Sequence, residues 1–240
     1  MGAIDRRTAN ASDAPTVLVV GPHAALSGAR TAGVRLFERR PPLHGVLLGR
    51  CELAMAGRRV RSEGAVALPA GTSHRVLAFG DPYACVAYLD ARRYRFEDVQ
   101  RLADRWRGFV PGRDDLREAL GDALAAPQRR VDGRLLRALA AIDAEGLRVA
   151  EAAARQGLSE SRMTHLTTET LGAPPRVWGA WFKLQRAIRE AALGAANLTQ
   201  AAHRAGFADS AHLTRTSKQL LGVRPAEMLP QVVHVVGPLP

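Results

Sequence analysis

The period of the hydrophobic pattern changes once along these 240 residues, near residue 95, and that change limits the chain to two unlike architectures joined in series. From Val17 to about Asp90, short apolar runs alternate with turns: TVLVV, GVRLFERR, HGVLLGRCELAMAG, AVALP, HRVLAF and YACVAYLD. Gly and Pro recur between them at short spacing, which predicts an antiparallel barrel or sandwich. After Tyr94 apolar residues recur at helical spacing, in FEDVQRLADRWRGF, RDDLREALGDALAA and VDGRLLRALAAID and onward to Leu229. The expected fold class is α+β, an N-terminal β-barrel domain followed by an all-α C-terminal domain. The expected divisions are a flexible tail over 1–15, the β domain over 16–95, a helical connector over 96–130, the helical domain over 131–230 and a tail over 231–240. The helix at 96–107 suits either a dimer seam or a cover for the β domain.

Composition narrows the function. No run of about 18 apolar residues is present to span a bilayer. The N-terminal MGAIDRRTANASDAP has Arg6 and Arg7 with no apolar stretch after them, which reads as a polar tail rather than a secretory signal and places the chain in the cytoplasm. Cys51 and Cys85 are too few and too far apart for a metal cluster or a disulfide framework, and their apolar strand surroundings predict buried, inert thiols. The net charge of +11 calls for a polyanionic partner, because neutralising phosphates releases counterions. Residues 1–130 hold 21 Lys+Arg against 14 Asp+Glu and residues 131–240 hold 13 against 9, so charge does not say which half meets that partner.

Local pattern does. In GLRVAEAAARQGLSESRMTHLTTETLG an alanine-rich helix breaks at Gly157, which suits a tight turn, and Ser159 can cap the amides of the next helix. Ser161, Arg162, Thr164 and His165 would face outward on that second helix, with Met163 and Leu166 inward. NLTQAAHRAGFADSAHLTRTSKQLLG repeats the plan, with Asn197 as cap, Gln200 three residues on, a stop at Gly206, and Asp209 or Ser210 opening the next helix. Its outward positions are Ser210, Ala211, His212, Thr214 and Arg215, with Leu213 and Leu220 inward. Between the units, PPRVWGAWFKLQRAIREAAL predicts a long helix starting at Pro174–Pro175 that fixes their separation, its Trp178, Trp181 and Phe182 being packing residues.

The spacing of AxxxGLSxSR, the LG-x-PP link, and AxRAGFxDSAHLTRT with LGVRPAE resembles the AraC/XylS family of transcription regulators over residues 130–229. The resemblance implies a seven-helix domain with two helix-turn-helix units, inserting its two recognition helices into successive major-groove segments. It places the base contacts on Ser161, Thr164 and His165 and on Ala211, His212, Thr214 and Arg215, and the outward positions Arg162 and Ser210 complete the expected DNA-binding set. It implies double-stranded DNA and RNA polymerase as partners, self-association as a homodimer, and a small effector in the N-terminal domain. This chain departs from the pattern at Thr167 and Ser217, where a core Phe is usual, and at Leu213 and Leu221, where Phe is common.

In the N-terminal half GAVALPAGTSH, Gly64 to His74, resembles the second cupin motif, so the β domain is expected to be cupin-like. The H-x-H of the first motif is missing and only His44 stands near its place, short of the three or four ligands a divalent ion needs. No metal or cofactor is expected, and His74 reads as a turn or pocket-rim residue. Arg35, Arg50, Arg58 and His44 are available to an anionic effector. The rival reading is a cupin-type metal-dependent enzyme fused to a DNA-binding tail. A repair methyltransferase reading fails for want of metal-binding cysteines.

Overall fold

The computed structural model describes residues 17–20, 24–31, 38–109, 116–126, 128–192 and 197–225. Six strands form one antiparallel sheet: β1 (Val17–Val20), β2 (Ala24–Arg30), β3 (His44–Met55), β4 (Arg58–Leu68), β5 (His74–Phe79) and β6 (Tyr83–Leu89). The order is β1-β2-β6-β3-β4, with β5 also on β3. The path ends at β1 and β4 without closing, so the expected barrel is not formed among the described residues. The reason lies in β3, which is longer than its neighbours and takes two of them on one edge: β6 pairs with His44–Leu48 and β5 with Cys51–Met55. Gly49, at φ +103°, supplies the bend between the two partners.

Two strands escaped the sequence pattern. AALSGAR (β2) lacks β-branched residues, yet it pairs with β1 and β6 and buries Leu26. The first half of β4, RRVRSEG, is charged because it pairs with β3 at an end of the sheet where its arginines stay in water. Of GVRLFERR, Arg39 joins the ladder through a bridge to His74, and residues 33–37 lie outside the described residues.

On one face of the sheet lie α1 (Phe96–Arg105), a 3₁₀ turn at Trp106–Gly108, and α2 (Leu116–Ala125). Val99, Leu102 and Trp106 pack with Leu26, Val46, Leu48 and Leu89, so α1 buries its apolar side on its own sheet. Gly64 admits this contact, since a Cβ there would stand 2.4 Å from the Arg107 carbonyl oxygen. The other face carries Leu47, Cys51, Leu53, Leu68 and Val76. Both thiols are free and buried, and burial pushes Cys85 up to about 12, which leaves it unreactive at neutral pH.

The C-terminal part contains α3 (Gly133–Ala144), α4 (Val149–Ala154), α5 (Glu160–Leu171), α6 (Pro175–Ala192), α7 (Leu198–Arg204) and α8 (Ser210–Leu221). The central α6 touches α3, α5, α7 and α8. Trp178, Phe182 and Leu184 on it join Leu139, Met163, Leu213 and Leu220 in one core, each large side chain worth about 1.5–3 kcal/mol of burial. Leu43, Ala70 and Ala91 of the sheet domain belong to the same core.

Polar contacts reinforce this junction. The Arg92 guanidinium, paired with Asp90 at 2.7 Å, lies 5.3 Å from the Trp178 ring centre and 5.1 Å from that of Phe182. Arg129 donates to the Thr170 carbonyl at the end of α5 (3.0 Å), and the Arg40 amide donates to the Gln219 carbonyl near the end of α8 (2.8 Å). Each fills one of the carbonyls a helix leaves open at its C-terminus.

Candidate nucleic-acid interface

The α4–α5 pair is built by local chemistry. Gly157, at φ +68°, turns the chain so that the Leu158 amide returns to the Ala153 carbonyl (3.0 Å), and the Ser159 hydroxyl then accepts from the Arg162 amide (3.1 Å) to open α5. Met163, Thr167 and Leu171 face the core. Ser161, Arg162 and His165 are exposed and Thr164 is half-buried, which puts all four on one outward face. His165 sits 3.5 Å from Glu169, one turn on.

The α7–α8 pair repeats the geometry. Asn197 accepts from the Gln200 amide (2.9 Å), Gly206 turns at φ +84°, the Phe207 amide returns to the Ala202 carbonyl (2.9 Å), and Asp209 accepts from the His212 amide (2.6 Å). Asp209, of the two candidates, is therefore the cap. Leu213, Ser217 and Leu220 are buried, while Ala211, His212 and Arg215 are exposed and Ser210 and Thr214 half-buried. Phe207 meets the His212 ring edge-on at 5.2 Å and orients it. Among the described residues no carboxylate pairs with Arg162 or Arg215, whereas Arg155 and Arg204 are paired with Glu145 and Glu190.

Thr167 and Ser217 occupy equivalent buried positions, and each satisfies its hydroxyl locally. Thr167 donates to the Met163 carbonyl (2.7 Å) and Ser217 to the Val223 carbonyl (2.8 Å).

The N-terminal candidates fare differently. His44 is buried, and its Nδ1 accepts from the Ala70 amide (3.0 Å); burial, against the nearby Tyr94 carbonyl, brings its pKa down to about 4. His74 is not at a pocket rim but 4% exposed, because it opens β5 under the bridging Arg39. Arg50 is exposed and paired with Asp81 at 2.8 Å, Arg58 is exposed at the β3–β4 turn, and Arg35 lies outside the described residues. Among the described residues no three His, Cys, Asp or Glu side chains cluster to hold a metal ion. No helix among them is long and apolar enough to cross a membrane. Sequence reasoning passed over Arg39, whose burial is visible only once its partner 35 residues away is in place.

Residues 152–231, which contain α5 to α8, match the Helix-turn-helix domain family. That segment is an AraC-type helix-turn-helix domain. The domain supports reading the chain as a DNA-binding transcription regulator. No curated protein matches its sequence. Its fold is that of ToxT from Vibrio cholerae. An apo form of ToxT from strain SCE256 is 10% identical, with 89% of this chain and 99% of that chain covered at a TM-score of 0.57. Unsaturated fatty acid bound wild-type ToxT from the same strain is 12% identical, covers 90% and 97%, and scores 0.54. ToxT from strain O395 bound to (E)-4-(8-methylnaphthalen-1-yl)but-3-enoic acid is 11% identical, covers 88% and 100%, and scores 0.55. At these identities the likeness shows the fold alone.

Proposed function

We propose that this regulator reads DNA with α5 and α8, one in each of two successive major-groove segments, and that its sheet domain, over residues 16–95, takes a small effector that governs the reading. The carrying observation is the repetition itself: two capped helices, each entered by a left-handed glycine turn, each presenting one polar face whose arginine lacks a carboxylate partner among the described residues. Ser161, Thr164 and His165 in α5, with Ala211, His212, Thr214 and Arg215 in α8, face the base edges. Arg162 and Ser210, at the helix starts, meet phosphate or base. The helical connector (96–130) and the DNA-binding domain (131–230) follow the sheet domain in this reading. RNA polymerase and a second copy of the chain are its protein partners. The effector reading is supported by the ligand-bound forms of ToxT, which share the fold.

Such a monomer reads a directional site. Hydroxyl-radical footprinting on the region upstream of its own gene is expected to show two protected segments about 10 base pairs apart on one side of the duplex. A single protected segment per monomer would overturn the reading.

A further inference from the structure

The β3–β4 hairpin carries positive charge that the two reading helices leave unexplained. From Leu53 to Arg61 the chain holds Arg58, Arg59 and Arg61 and no carboxylate. Across the sheet, Ala54 stands opposite Arg59 on one side and Arg75 on the other, and Glu52 stands opposite Arg61. Facing residues of neighbouring strands share a face, so Arg59, Arg61 and Arg75 rise together on the side away from Leu53 and Val76, their Cα atoms within about 12 Å of one another. Arg58 stands at the turn itself, and all four side chains are exposed. Arg59 is paired with Glu52 (3.2 Å), whereas Arg58, Arg61 and Arg75 have no carboxylate partner among the described residues. Glu63, on the same face, stands farther from the turn, opposite Arg50. On the helices that cover the sheet the pattern is different, since Arg101, Arg105 and Arg107 each have an aspartate beside them. Like charges gathered without counter-charges repel one another in the free protein, and a polyanion reverses that cost.

A short ladder ties this hairpin to the helical domain. Met55 pairs with His74, His74 bridges to Arg39, and the Arg40 amide donates to the Gln219 carbonyl near the end of α8. By this route Met55 and Arg215 are at most about 25 Å apart, less than the roughly 34 Å of one turn of duplex. We propose that Arg58, Arg61 and Arg75, joined by Arg59, clamp the phosphate backbone of the duplex beside the segment read by α8, which makes the sheet domain part of the DNA interface. This extends the DNA reading given above and rests on it; it does not involve the effector. Guanidinium forks pair with phosphate oxygens whatever the base sequence, so the clamp adds affinity and fixes orientation while α5 and α8 select the sequence.

The test is gel-shift titration of the full chain, over a series of salt concentrations, on duplex from the region upstream of its own gene and on random duplex. Wild type is compared with the triple variant Arg58→Gln, Arg61→Gln, Arg75→Gln, with the same three positions changed to Lys, and with Arg101→Gln, Arg105→Gln, Arg107→Gln, which loses equal charge elsewhere on the domain. The hairpin Gln variant is expected to bind both duplexes roughly 10- to 100-fold more weakly at physiological salt and to lower the slope of log affinity against log salt by about 2 to 3. The Lys variant keeps most of that slope, and the helix variant keeps all of it. Hydroxyl-radical footprints of the hairpin Gln variant lose a protected stretch flanking one of the two reading segments. An unchanged slope in that variant, with the two segments still protected, would overturn the clamp, leave the helix reading standing and assign the hairpin charge to a protein partner. Equal slope losses in the two Gln variants would overturn it too, by reducing the effect to net charge. A wild type that binds neither duplex would overturn the clamp and the DNA reading together. Should the triple variant not fold, Arg75→Gln decides, with an expected loss of slope of about 1.

Discussion

Gly71 and Gly172 meet backbone to backbone across the junction of the two domains: a Cβ on Gly71 would stand 1.7 Å from the Gly172 carbonyl oxygen, and one on Gly172 would stand 2.3 Å from that of Ala70. Both residues also sit at positive φ. Gly157 shares that conformation with nothing within 4 Å of its missing Cβ. Gly157→Ala is therefore expected to cost only the left-handed strain, about 1 kcal/mol. Gly172→Ala adds the clash with Ala70, a further ~1–3 kcal/mol, and loosens the sheet domain from α5. Urea unfolding measures the difference, and faster proteolysis at the junction in Gly172→Ala alone is the accompanying sign. Equal costs for the two variants would show that the glycine contact contributes nothing to docking.

Arg215→Ala is expected to act on sequence discrimination. The side chain is exposed, has no carboxylate partner among the described residues, and can pair with guanine O6 and N7, a contact worth about 1–3 kcal/mol against the wrong base. Competition gel shifts on operator and random DNA read this directly. Equal weakening on both would make Arg215 a phosphate contact.

Thr167→Phe and Ser217→Phe are both expected to lower the melting midpoint, by about 1–3 kcal/mol of stability each. Both positions are fully buried with their hydroxyls bonded to nearby carbonyls, in a domain whose core already buries Leu171, Trp178, Leu220 and Leu221, so a Phe is expected to overpack it. Raised midpoints in both variants would mean that unfilled space remains in both helix pairs.

Stability is expected to fall with acid through two histidines. In the unfolded chain His44 and His74 take up protons near pH 6.5, whereas in the fold both do so only near about 4. Between those values the unfolded state binds more protons, so the contribution is complete above about pH 6.5 and is lost as pH falls toward about 4, on the order of 3 kcal/mol for each ring. His74→Gln keeps an acceptor for Arg39 without the titration. Its denaturation midpoints are expected to fall less than those of wild type between pH 7 and pH 5, and parallel losses would refute the assignment.

The helix pairs were legible because their signals are local: Ser159, Asn197 and Asp209 act within three residues, and Gly157 and Gly206 impose their turns without outside help. The sheet was legible only in part. β2 is recognised by its partners β1 and β6 rather than by its own side chains, and the edge of β3 that takes both β6 and β5 depends on a bend at Gly49 that looks like any strand glycine. Arg39 could not be told from the other 33 Lys and Arg residues, because what distinguishes it is burial against His74.

The core that joins Leu43, Ala70 and Ala91 to Trp178, with Arg92 stacked over its ring, bears on how the protein comes apart. Removing either half would expose the apolar surface of the other. Heating is therefore expected to give one cooperative transition in which calorimetric and van't Hoff enthalpies agree, in place of the two independent steps of loosely tethered modules.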